Sequence, residues 1–229
     1  MKSTASLKEF DLDAPTLARE ARQSFRHQTR CVTALYERSF KPFRIQQKAW
    51  KVLVEVVPVI TKPQVLDLLG VFTFQVQGDP VQFLEATESS RPQIALDWLA
   101  RGAAEVAKLH DWPIEPFQDA AAAVVEADFV NKWQWKDSLW NRSRTLSCDI
   151  EIEHGLRETK ITSNFKNSDG LLIAKSAFCS TPPSEFAFVP LLGKARWLDE
   201  WQVELASKDG KQRWRAAATS DSARQAPRG

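Results

Sequence analysis

Residues 145–179 read TLSCDIEIEHGLRETKITSNFKNSDGLLIAKSAFC, and in this stretch the hydrophobic period becomes two. Cys148, Ile150 and Ile152 alternate with Asp149, Glu151 and Glu153, the pattern of a strand with one face buried and one solvated. Strands are expected near 145–153, 159–165 and 171–179. The pattern continues at 185–189, 195–206 and 211–216. Gly, Pro, Asn, Asp and Ser fill the connections, so successive strands make an antiparallel meander of about six. If residues 154–157 form the first loop, Ile150 faces Ile161 and Glu151 faces Lys160.

Upstream the spacing is different. Leu17, Ala21, Phe25, Val32, Leu35 and Tyr36 form one apolar stripe and predict a helix over 16–40, with Asp13 as cap candidate and Pro15 in the first turn. Residues 49–57 and 69–77 alternate as strands. Asp79-Pro80 can cap a short helical turn. Two helices follow, over 92–110 with Ser90 as cap candidate, and from 116 to about 132, the second favoured by its alanines. Helices first and strands last make the fold class α+β: a helix, strand and helix-pair part packed on the meander. The expected division is 1–142, 143–216 and a polar tail, 217–229, expected to be disordered.

The chain has 229 residues, 43% hydrophobic, long enough to bury a core without disulfides. No apolar run reaches membrane-spanning length. Cys31, Cys148 and Cys179 are an odd set, far apart and without a CxxC pair. With no apolar core in residues 1–13, they point to a reducing, cytoplasmic setting. Charge is segregated. Residues 1–62 hold 12 Lys/Arg and 6 Asp/Glu, residues 63–160 hold 9 and 16, and residues 161–229 hold 10 and 7. An oriented surface of this kind can steer a charged partner.

No phosphate-binding glycine loop, nucleophile elbow or metal-binding motif is present. His27 and Cys31 share a helical face, but two ligands do not make a zinc site; no metal or cofactor is expected. Three constellations remain. Asp149, Glu151 and Glu153 form a carboxylate row, a solvent face that could meet a basic partner, or an acid–base or cation site. Arg19, Arg22, Arg26 and Arg30 form a basic helical ridge, extended by Arg38, Lys41, Arg44 and Lys48, which could track phosphates. Trp133, Trp135, Trp140, Arg142 and Arg144 mix aromatic rings with cations, the composition of interface anchors and of base-stacking surfaces. Trp133 and Trp135 fall at the expected end of the last helix, Trp140 in a loop.

By elimination the sequence favours a non-enzymatic protein-binding role, in the form of an inhibitor or immunity-type protein that occludes a toxin or enzyme. The alternatives are a nucleic-acid-binding module using the ridge and the Trp/Arg segment, and an enzyme built on the carboxylate row. No membrane partner is expected.

Overall fold

The computed structural model describes residues 7–43, 45 and 48–218, and divides between Asn131 and Lys132 into two compact units. The fold is α+β, with five α-helices and eleven strands among the described residues.

The N-terminal unit runs β1 (Glu9–Asp13), α1 (Arg19–Ser39), β2 (Lys51–Val57), β3 (Leu66–Leu68), β4 (Val71–Gln77), α2 (Pro80–Glu85), α3 (Arg91–Leu109) and α4 (Glu115–Glu126). Its sheet order is β1-β2-β4-β3, parallel except for the β3–β4 pair. Phe10 and Leu12, Val52, Val54 and Val56, and Phe72 and Val76 bury one face. On α3, Gly102 lets the helix approach β2 closely: a Cβ there would lie 2.5 Å from a Val54 methyl. Helix α2 is capped as its sequence predicts, Asp79 accepting from the N–H groups of Val81 and Gln82. Asp13 does not cap α1. It ends β1, a strand the sequence reading leaves out, and it binds Arg22 instead.

The C-terminal unit begins earlier than the sequence suggests. After the α4 cap at Ala127, Asp128 and Phe129 both take positive φ (48° and 57°), which breaks the helix. Residues 132–140 are then the strand β5 (Lys132–Trp140), the first of an antiparallel sheet completed by β6 (Leu146–His154), β7 (Thr159–Asn167) and β8 (Leu172–Thr181). Residues 185–188, expected as a strand, are the helical turn α5 (Glu185–Phe188). Ser184 precedes it, its carbonyl accepting from the N–H groups of Ala187 and Phe188. The single strand expected over 195–206 is two, β9 (Lys194–Trp197) and β10 (Gln202–Ala206). With β11 (Arg213–Ala217) they form a second antiparallel sheet.

The first hairpin is shifted by two residues from expectation. Gly155 donates to the Glu158 carbonyl, so the loop is 155–158 and His154 belongs to the strand. Ile152 therefore faces Ile161, and Glu153 faces Lys160. A shift of two keeps each side chain on its expected face. Strand β8 runs beside β11 and β5 beside β9, so both sheets enclose one core containing Cys148, Ile150, Ile152, Ile161, Phe165, Val203 and Leu205. Ala217 closes β11, and the expected tail from 219 onward lies outside the described residues.

Candidate interaction surfaces

The arginine ridge and the acids of β1 are two halves of one network. Arg22 binds both oxygens of Asp13. Arg30 lies 3.1 Å from Asp11 and 2.8 Å from Glu37, while Lys51 lies 2.5 Å from Asp11. Glu37 also accepts the Phe10 N–H at 2.8 Å, so α1 satisfies the outer edge of β1. Burial pushes the Glu37 carboxyl above its ordinary value, against the pull of Arg30. Burial would raise Asp13 too, but the Arg22 hydrogen bonds and the Ala14 N–H outweigh it and hold Asp13 low. Arg19 and Arg26 stay exposed, whereas Arg22 and Arg30 are committed inward; Arg44 lies outside the described residues.

The carboxylate row is likewise matched by cations. Asp149 is buried, accepts from Ser138 and meets Lys166 at 2.6 Å. Glu151 meets Lys132 at 2.9 Å and Lys175 at 3.3 Å. Partial burial opposes ionisation of Glu151, but the two lysines prevail and hold its carboxyl below the ordinary value. Its contribution to stability is present above that value and lost as the pH falls through the lowered one. Acid-unfolding curves should therefore show a smaller loss of stability on acidification for Glu151→Gln than for wild type. Glu153 is exposed. No group of three or more His, Cys, Asp or Glu is placed to hold a metal among the described residues.

Burial pushes the thiols of Cys31 and Cys148 up to about 12 and that of Cys179 up to about 11. A protonated thiol is a poor nucleophile. Iodoacetamide at pH 8 should leave the buried Cys31 and Cys148 unmodified in the native protein, label the partly buried Cys179 slowly, and label all three in denaturant. Rapid native labelling of any one would contradict its place in the structure.

The aromatic segment divides. Trp133 and Trp135 share one face of β5, half-buried against the core, and Trp133 lies 6.0 Å from Phe188. Trp140 ends the strand and is 46% exposed. Residues 141–145 then lead into β6, with Arg142 and Arg144 exposed and free of ion pairs among the described residues. Because Asn167 pairs with Leu146, the turn after β7 projects from the same end. The β9–β10 loop is tied there as well. Asn141 donates to the Glu200 carbonyl, Ser143 to its carboxylate at 2.6 Å, and the Trp197 indole to the Leu139 carbonyl at 3.0 Å.

No family model, curated protein or solved structure matches this chain. The loop end collects Trp140, Trp201 (48% exposed), Leu198 and the run Leu171, Leu172, Ile173, all exposed. Large apolar residues gathered at one end, beside two exposed arginines, have the composition of a protein interface. The sequence reading found Trp140, Arg142 and Arg144. Positions 171–173, 198 and 201 carry no such signal, because they fall within the strands expected over 171–179 and 195–206.

A second group was missed entirely. Glu204 is buried on the outer face of β10, and Arg196, Arg213 and Arg215 reach it at 3.1, 3.0 and 3.6 Å. Burial opposes its ionisation, but the arginines hold its carboxyl low. The signal was in the sequence: KARW at 194–197 and RWR at 213–215 alternate cations with tryptophans that turn to the core.

Proposed function

We propose that the protein is a binding protein that docks on a protein partner through the loop end of its C-terminal unit, and that it acts as an inhibitor by inserting these loops into the partner's cleft. The observation that carries this reading is the exposure of Trp140 and Trp201 beside Leu171–173 and beside Arg142 and Arg144, which make no ion pair among the described residues. The hairpin tips offer projecting apolar side chains, which suit the concave apolar sites of enzymes. The two arginines call for carboxylates on the partner's rim. This places the contact away from the carboxylate row, whose charges are taken up by Lys132, Lys166 and Lys175.

The test pairs capture with function. A partner captured by the wild-type chain is titrated with Trp140→Ala and with Arg142→Glu/Arg144→Glu, and its own activity is measured at each step. Truncating an interface anchor should cost about 2 kcal/mol of binding, about thirtyfold in Kd, and should release the inhibition. A partner that binds both variants as tightly as wild type would sink the reading.

A further inference from the structure

We infer that a different face of the C-terminal unit binds single-stranded nucleic acid, with phosphates on the arginine face of β9–β11 and bases against Trp133 and Trp135. The pairing register sets out the cations as a grid. Lys194 and Arg213 flank Ala206, and Arg196 and Arg215 flank Glu204 in the next row. Neighbouring strands are about 4.8 Å apart. One carboxylate thus gathers three guanidinium groups, which remain more than half exposed. Glu204 neutralises one charge and fixes the positions of the others. The result is a preorganised cationic face rather than a set of mobile side chains.

This face leads to the tryptophans. Lys194, at its corner, also lines a cleft of about 150 Å³ with Trp135, Lys136 and Leu139; Asp137 is the acid there. Beyond it lies a groove of about 520 Å³ walled by Trp133, Trp135, Phe188 and Leu192 and edged by Lys136 and Lys208. The Lys136 ammonium lies over the Trp135 ring, 4.3 Å from its centroid, a cation–π contact at the groove's edge. Lys136 holds a positive φ of 63°, and the β5–β6 register breaks between Trp135 and Leu139. A bulge of this kind re-aims side chains out of a strand's normal alternation. Lys136, Lys194 and Lys208 make no ion pair among the described residues.

The chemistry that fits is a chain of anions spaced along a backbone and carrying flat rings. Tracking phosphates while stacking bases is how single strands are held without sequence preference. A duplex keeps its ring faces stacked inside and offers the tryptophans nothing. The unit's sequence, with 16 Lys/Arg and 12 Asp/Glu over 132–229, has the matching sign.

The experiment is a fluorescence anisotropy titration of the full chain with labelled single-stranded oligonucleotides, repeated between about 50 and 200 mM salt. Binding should weaken with salt, favour the single strand over the same sequence as a duplex, and quench tryptophan emission. Replacing the three arginines strands Glu204 and could unfold the sheet. The decisive variant is therefore Lys136→Gln/Lys194→Gln/Lys208→Gln, which breaks no ion pair. Its log–log salt slope should be shallower by about 2, at about 0.7 per phosphate contact. No binding at about 50 mM salt overturns the inference. So does an unchanged slope, or equal binding of the duplex or of an acidic peptide of matched charge.

Discussion

Phe10→Ala should lower the unfolding free energy of the N-terminal unit by about 3–5 kcal/mol, the range for emptying a buried aromatic site. Phe10 is fully buried. Its ring centroid lies 4.9 Å from Tyr36, 4.7 Å from Phe40 and 6.1 Å from Phe117. One side chain on a five-residue strand therefore touches the end of α1, the residue after it, and α4. Tyr36 cannot move in to fill the void, because its hydroxyl donates to the Phe117 carbonyl at 2.9 Å. The cavity cost then adds to the lost transfer energy instead of relaxing away. Urea unfolding followed by far-ultraviolet circular dichroism measures the change. A shift below about 1 kcal/mol, the centre of the distribution for point substitutions of every kind, would mean that β1 is not seated in this core.

That strand also shows where the sequence was readable and where it was not. Helix α1 announces itself because twenty-one residues repeat one stripe many times. Strand β1 has only five residues, three of them acidic, and EFDLD looks like a polar lead-in. Its acids make sense only once Arg22, Arg30 and Lys51 are beside them, and pairing over 9 to 40 residues leaves no local trace. The ridge was legible as a ridge, but its role was not. Cross-strand ion pairs are misassigned for the same reason: the expected Glu151–Lys160 pair gives way to Lys132 and Lys175, because alternation reveals which face a residue takes, not which lysine of a neighbouring strand it will meet. Local competition explains the rest. KWQWK alternates as a strand should, but it follows an alanine-rich helix whose expected end covers it. Phe186 and Phe188 alternate as well, yet the residues after Pro182-Pro183-Ser184 close a helical turn. The α+β class survives all of these errors, because it depends on the order of the periodicities and not on any one boundary.

The tryptophans divide the C-terminal unit's stability from its binding, and the three should respond differently to truncation. Trp133→Ala and Trp135→Ala should each cost about 3 kcal/mol, the low end of the range for a large aromatic residue, because both rings are half-buried. Both pack against the core between the two sheets, and nothing on β5 can replace them: Gln134 is exposed on the strand's opposite face, and Lys136 points a charge. Trp140→Ala should cost less than about 1 kcal/mol, since its ring is nearly half exposed at the strand's end, where truncation opens no closed cavity. Urea midpoints of the three single variants, read beside binding of the protein partner and of the oligonucleotide, separate the roles. Trp140→Ala with a wild-type midpoint and a lost protein partner assigns it to the loop-end contact. Trp135→Ala with a lowered midpoint and weakened oligonucleotide binding assigns it to both the core and the groove. If Trp133 and Trp135 can be truncated with no change in midpoint, their rings are not packing β5 onto the core. The groove they wall would then lack the rigid rings that stacking a base requires.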